Sequence, residues 1–125
     1  MTELSGFELG WLVGILEGEA YFGYCSQTQI IQVQMCDEDV VNKVAALFER
    51  ITNSSIRVTE YDRGGTAQIA YKVHVSGERA RAIMRLVVRH MNYRRRQKIW
   101  QALNGFVTTM HKVDLVRLLK IGEVA

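Results

Sequence analysis

Three glycines at four-residue spacing near the start of the chain constrain the fold more than any other feature. Gly10, Gly14 and Gly18 stand at i, i+4 and i+8, so they share one face of a helix. Ser5 and Glu8 form a capping box just before this apolar run, which predicts where the helix begins. Each glycine inside a helix costs about 1 kcal/mol relative to alanine. Because glycines let a second backbone approach closely, the pattern predicts helix packing, most simply against the same helix of a second copy.

Two acidic residues, Glu17 and Glu19, stand at the carboxyl end of the same helix. The helix dipole makes this end partly negative, so carboxylates there are unfavourable by roughly a few tenths of a kcal/mol. Their position indicates a positive group nearby, and hard carboxylate oxygens suit Mg²⁺. The plainer alternatives are glycines that pack within one chain and a solvated pair of glutamates.

The composition predicts one domain spanning residues 1–125, with hydrophobic residues making up 48% of the sequence and no internal linker. The formal net charge of +3 is weak evidence for a nucleic-acid partner, although basic residues crowd the stretch from Arg79 to Lys98. Cys25 and Cys36 are too few for a zinc site or a disulfide scaffold. Met1–Phe7 lacks a secretion signal, and no apolar run could span a membrane, so we expect a soluble intracellular protein.

Hydrophobic periodicity predicts an α+β fold in the order αββαββα, with helices covering one face of an antiparallel sheet. The core spans about 5–106, and a C-terminal helix lies at about 111–121. After the first helix, the predicted elements are strands Tyr21–Ser26 and Ile30–Met35, a helix capped by Asp37, strands Ile56–Asp62 and Thr66–Val75 around a Gly64-Gly65 turn, a helix opened by Ser76-Gly77-Glu78, and a helix near Arg95–Phe106.

Strand alternation sends a polar set of side chains to the face that the helices leave open. Such groups can bond base edges in the major groove, although a solvated sheet face also selects polar residues. The inward set is Phe22, Tyr24, Ile31, Val33, Ile56, Val58, Ile69, Tyr71 and Val73. The predicted DNA-contacting set is Tyr21, Gln27, Thr28, Ile30, Gln32, Arg57, Thr59, Tyr61, Gln68, Lys72 and His74, with Arg63 at the hairpin tip and Arg95 and Arg96 near phosphates.

The segment Leu12–Ala20, LVGILEGEA, resembles the LAGLIDADG motif of homing endonucleases, although Ala20 replaces the usual final glycine. Tyr71–Ser76, an amphipathic helix and then Tyr93–Gln97 resemble the second half of that family. The resemblance covers about 5–106, and a single motif per chain implies the homodimeric branch. It implies the αββαββα LAGLIDADG fold with a saddle-shaped sheet.

The resemblance also implies roles for individual residues. Glu19 and the Gly18 carbonyl would hold Mg²⁺, for which Mn²⁺ can substitute, and Arg94 stands where the family often has a lysine. Met35, or Gln34 beside it, stands where the family often has a polar residue that touches active-site water, and Gln34 is the predicted substitute because methionine cannot make that contact well. The implied dimer interface consists of Gly10, Trp11, Gly14 and Gly18.

The implied function is intron homing by a site-specific double-stranded DNA endonuclease that cuts a near-palindromic target. Two alternatives remain open at this point. The first is a cleavage-deficient LAGLIDADG protein that binds DNA or acts as an RNA maturase. The second is a dimerisation module with no nucleic-acid partner.

Overall fold

The computed structural model describes residues 3–62, 64–65 and 68–105. The elements are α1 (Gly6–Glu19), β1 (Ala20–Cys25), β2 (Thr28–Met35), α2 (Glu38–Thr52), β3 (Val58–Asp62), β4 (Ile69–Ser76), α3 (Glu78–Val87), a 3₁₀ turn (Val88–His90) and α4 (Tyr93–Leu103). The predicted α+β class and the order of these elements are confirmed. Arg63 and the C-terminal helix predicted at about 111–121 lie outside the described residues.

The four strands form one antiparallel sheet in the order β1-β2-β4-β3. The β1–β2 turn consists of Ser26 and Gln27, both at positive φ (53° and 64°). Two-residue hairpin turns favour this backbone, but it normally attracts glycine or asparagine. The predicted strand limits at Ser26 and Ile30 were therefore wrong, because the chain turns without the usual residues.

The second hairpin is shorter than predicted at both strand starts. Ile56 was placed in β3, but its backbone N–H donates to Glu49 Oε2 of α2 at 2.8 Å, and the strand begins only at Val58. The β4 strand begins at Ile69 rather than Thr66. Ile69 lies on the predicted inner side of β4 but is 43% exposed near the hairpin tip.

The third and fourth helices also differ in detail from the prediction. α3 ends at Val87, and the 3₁₀ turn follows before α4 begins at Tyr93.

Asp37 precedes α2 as predicted, but its side chain makes no capping hydrogen bond. No helix among the described residues has both the length and the apolarity needed to cross a bilayer.

The core lies between the helices and the inner face of the sheet. Phe22, Ile31, Val33 and Val73 are fully or almost fully buried, which confirms their predicted inward orientation. They pack in one cluster with Leu12 and Leu16 of α1 and with the buried faces of the other helices. Ile56 is also buried, whereas Tyr24, Val58 and Tyr71 are half-buried at the margins.

α1 is fixed at its amino end by the predicted capping box. The Ser5 hydroxyl accepts from the Glu8 N–H at 3.1 Å, and Glu8 Oε1 accepts from the Ser5 N–H at 2.8 Å. Arg50, in the last turn of α2, forms an ion pair with Glu8 and donates to the Glu3 carbonyl at 2.9 Å. The Arg50 guanidinium is the main reason that the pKa of Glu8 falls to about 2, with the Ser5 N–H contributing.

Candidate functional site

The glycine face of α1 is open. A Cβ added to Gly10, Gly14 or Gly18 would meet nothing within 4 Å in the described part of the chain. Phe7, which precedes Gly10 by about one turn, is 78% exposed. We call Phe7, Gly10, Gly14 and Gly18 the open face of α1. The alternative that these glycines serve close packing inside one chain is therefore wrong for the described residues.

Trp11 lies at the margin of the open face and is half-buried. Lys43 of α2 places its ammonium 4.2 Å from the centroid of the Trp11 ring. Contacts of this kind stabilise a ring by about 0.5–1 kcal/mol at exposed sites. The predicted interface residue is therefore fixed by α2 on one side and lies beside the glycines on the other.

Glu19 ends α1 and borders a cleft of about 250 Å³. We call this the Glu19 cleft; it is lined by Glu19, Ala20, Tyr21, Phe22, Arg95 and Lys98. The Glu19 side chain is exposed and takes part in no ion pair among the described residues. An exposed carboxylate between two cationic residues could bind a cation or help to position a phosphate.

Arg95 stabilises the corner between α1 and β1. Its Nε donates to the Glu17 carbonyl at 2.9 Å and its Nη1 donates to the Ala20 carbonyl at 2.6 Å. A guanidinium at the negative end of a helix dipole is favourable. The Arg95 guanidinium thus supplies part of the positive charge that Glu17 and Glu19 indicate. Its contact is with the backbone of this corner, whereas the sequence predicts that it contacts phosphate.

The neighbouring arginines have different surroundings. Arg96 is half-buried, and its Nη2 donates to the Met91 carbonyl at 2.9 Å. Like Arg95, it therefore forms a hydrogen bond with the backbone rather than lying free for phosphate. Arg94 is exposed and is not among the residues that line the Glu19 cleft. Lys98 lines that cleft although sequence reasoning assigned it no role. Its three-residue spacing from Arg95, which puts both on one helix face, was the signal available.

Gln34 is exposed on β2, where it pairs in register with Lys72 of β4. The β1–β2 ladder ends at the pair Ala20–Val33, and Glu19, which directly precedes it, is the last residue of α1. Lys72 in turn pairs with Thr59 of β3. With adjacent strands about 4.8 Å apart, Gln34, Lys72 and Thr59 form a polar row across the outer face of the sheet.

A second row lies one pleat away on the same face. Tyr21 pairs with Gln32, and Gln32 pairs with His74, whose Nδ1 lies 3.4 Å from Gln32 Oε1. Of the other predicted DNA-contacting residues, Thr28 and Ile30 are half-buried on this face, Gln27 lies in the exposed turn, and Arg57, Tyr61 and Gln68 are exposed. The members of the predicted set that lie in strands therefore share one face of the sheet. Gln27, Arg57 and Gln68 flank the strands, Arg95 and Arg96 lie in α4, and Arg63 lies outside the described residues.

The described residues of a single copy supply few ligands for a metal ion. No cluster of three or more His, Cys, Asp or Glu side chains suited to a metal occurs within residues 3–62, 64–65 and 68–105. Glu19 and the Gly18 carbonyl are hard oxygen donors of the kind that Mg²⁺ prefers. Their chemistry fits Mg²⁺, but one carboxylate makes the site incomplete unless a second copy and the substrate add oxygen ligands.

Comparison with known proteins found no matching family model, no matching curated protein and no matching solved structure.

Proposed function

We propose that two copies of this chain associate through the open face of α1 and cleave double-stranded DNA in the manner of LAGLIDADG homing endonucleases. The observation that carries this proposal is the position of Glu19. It ends a helix whose glycine face no described residue covers, and it lines a basic cleft together with Tyr21 of the outer sheet face. This combination fits a reaction centre shared by two subunits.

The case for a homodimer rests on the surface of α1. Leu12 and Leu16 are buried in the core, while the opposite side presents the glycines and an exposed phenylalanine. A helix that is apolar on all sides is normally buried. Three interior glycines cost about 3 kcal/mol in helix propensity. A second α1 packed against the open face would offset this cost through close backbone contact.

The case for DNA rests on how charge is divided between the two faces of the sheet. On β3, Thr59 and Tyr61 face outward, whereas Glu60 and Asp62 share the inner side with Tyr71 and Ile69. No outward position of the four described strands carries an acid. A face that only meets water has no reason to exclude carboxylates, whereas a face that meets phosphates does. The outer face instead carries side-chain amides, hydroxyls and the Lys72 ammonium, which can form hydrogen bonds with base edges.

The chemistry would be centred on Glu19 and its neighbours. Glu19 and the Gly18 carbonyl of each copy would hold Mg²⁺ or Mn²⁺, which when bound supplies an activated water and stabilises charge in phosphodiester hydrolysis. Lys98 would place its ammonium near the scissile phosphate and offset charge that builds up on it. Gln34 would orient a water beside Glu19 through its side-chain amide. Arg95 would hold the carboxyl end of α1, and hence Glu19, in place.

The proposal is tested by selecting a cleaved target from a randomised palindromic library with Mg²⁺, then comparing variants on that target. We expect Glu19→Gln to lose cleavage by at least about 100-fold, the size of effect typical of losing a key active-site group, while keeping its affinity for the target. Glu60→Gln is the matched control, since it removes an exposed carboxylate on the opposite face of the sheet, and it should cut normally.

Three outcomes separate the proposal from its alternatives. Cleavage by the wild type that Glu19→Gln abolishes supports it. Salt-sensitive binding without cleavage by the wild type indicates a cleavage-deficient DNA-binding protein or an RNA maturase instead. A dimer that neither binds nor cuts nucleic acid indicates a dimerisation module.

A further inference from the structure

A second cleft, distinct from the Glu19 cleft, opens beside the edge strand β3. Its volume is about 280 Å³. We call it the arginine cleft; its lining is Ser55, Ile56, Arg57, Thr59, His74 and Arg79. Two guanidinium groups, an imidazole and two hydroxyls therefore surround one space, and none of the lining residues is acidic. A liquid water takes about 30 Å³, so the cleft has room for a multi-atom oxyanion and several waters.

The backbone positions these groups without help from a ligand. Arg57 directly precedes β3, and it lines the cleft together with His74 of β4. Arg79 extends from the first turn of α3, in the helix layer, and its Nη1 donates to the Ser55 carbonyl at 3.2 Å. That bond holds the Arg79 guanidinium at the cleft. Guanidinium groups bind phosphate oxygens through paired N–H donors.

We propose that the arginine cleft binds a backbone phosphate of the nucleic acid that lies across the outer face of the sheet. This inference rests on the proposed function and deepens it, because it gives Arg57 and His74 a positioning role in place of the base reading that the sequence predicts. Arg79, for which the sequence favours a solvated helix face, becomes a phosphate ligand. Phosphate contacts fix the register of a protein on DNA without carrying sequence information.

Position favours a phosphate over a base edge as the occupant. β3 is the edge strand, whereas Gln32 and Gln34 lie on the interior strand β2. Arg79 comes from a helix on the far side of the sheet, so its guanidinium meets the outer face only at this edge. Bases over the interior strands and a sugar-phosphate backbone over the edge fit a duplex seated on a β-ribbon.

The first experiment measures duplex affinity for the wild type, Arg79→Gln and Arg57→Gln against KCl concentration, on the selected target and on a random duplex. We expect each variant to bind both duplexes about tenfold more weakly, by the same factor for each. The slope of log affinity against log KCl concentration should become shallower by about 1. Arg79→Lys should recover part of the affinity. Arg85→Gln is the matched control, because Arg85 is exposed on the same helix but does not line the cleft. A change in sequence preference, or an effect no larger than that of Arg85→Gln, would overturn the proposal.

A second experiment separates this site from the proposed function. Inorganic phosphate is titrated into the protein without DNA while the Arg57 and Arg79 side-chain N–H signals are followed by NMR. Saturable shifts that disappear in Arg79→Gln support the cleft as an oxyanion site. If the protein also binds no DNA, the site stands, but the proposal that its phosphate comes from a nucleic acid is overturned. No shift in the wild type would overturn the site itself.

Discussion

α1 and α2 lie side by side yet expose different surfaces. α2 buries Val41, Val44, Leu47 and Phe48 and presents polar residues such as Asn42 and Lys43 to water. α1 buries Leu12 and Leu16 but presents glycines and Phe7 on its other side. The α2 pattern is complete in one copy, because its apolar face is fully used. The α1 pattern is explained only if something else covers its open face.

This difference means that similar substitutions should affect the two helices in opposite ways. Changes in α2 should alter the stability of a single copy. Changes on the open face of α1 should alter association and leave a single copy intact.

The largest effect is expected from Phe48→Ala in α2. Phe48 is fully buried in the core cluster, and truncating such a side chain costs about 3–5 kcal/mol through lost burial and a residual cavity. Urea unfolding followed by circular dichroism measures this loss. Phe7→Ala removes the same ring from the open face of α1. At protein concentrations too low for association, it should change the free energy of unfolding by no more than about 0.5 kcal/mol. Equal losses for the two variants would remove the contrast.

The next effect is expected from Gly14→Leu on the open face. A Cβ added at Gly14 meets no described atom within 4 Å. Leucine favours a helix over glycine by about 0.5–1 kcal/mol. A single copy should therefore become slightly more stable. The dimer should weaken by about 100-fold or more, because the bulk keeps two backbones apart.

Sedimentation velocity against protein concentration tests this second prediction. Ala46→Leu is the matched control, because Ala46 is exposed on α2, and it should leave the association unchanged. A Gly14→Leu variant that unfolds, or that associates as the wild type does, would show that the open face has a different role.

Local patterns predicted α1 well, and the surroundings of Glu19 poorly. The Ser5–Glu8 capping box and the spacing of the glycines depend only on residues within a few turns, so the sequence predicts them directly. The bonds from Arg95 to the α1–β1 corner join residues more than seventy positions apart. No periodicity in the sequence could reveal such a contact, which depends on how α4 packs against β1.

The two clefts show the same limit. Strand alternation placed Arg57, Thr59 and His74 on one face, but the inclusion of Arg79 depends on where α3 begins relative to β3. The limits of the β1–β2 turn were misplaced for another reason: Ser26 and Gln27 adopt a backbone that their residue types rarely indicate.

The smallest effect is expected at the junction between the two helices, where Arg50 of α2 meets Glu8 of α1. The pKa of Glu8 is lowered from 4.5 to about 2, so the folded state favours the charged carboxylate. Its stabilising contribution should be complete above about pH 4.5 and should be lost as the pH falls through about 2. Urea midpoints between pH 6 and pH 2 should fall less steeply for Glu8→Gln than for the wild type. If the Glu60→Gln control reduced the pH dependence of the urea midpoint as much as Glu8→Gln does, the pH effect could not be assigned to Glu8.

The mass of the wild-type protein in solution tests the central claim most directly. Sedimentation equilibrium at micromolar concentration, alone and with a palindromic duplex, distinguishes one copy of 14.3 kDa from two. Pairing through α1 predicts two copies per particle, with DNA strengthening the association. A protein that remains a single copy at every concentration, and that stays so on the duplex, would contradict it.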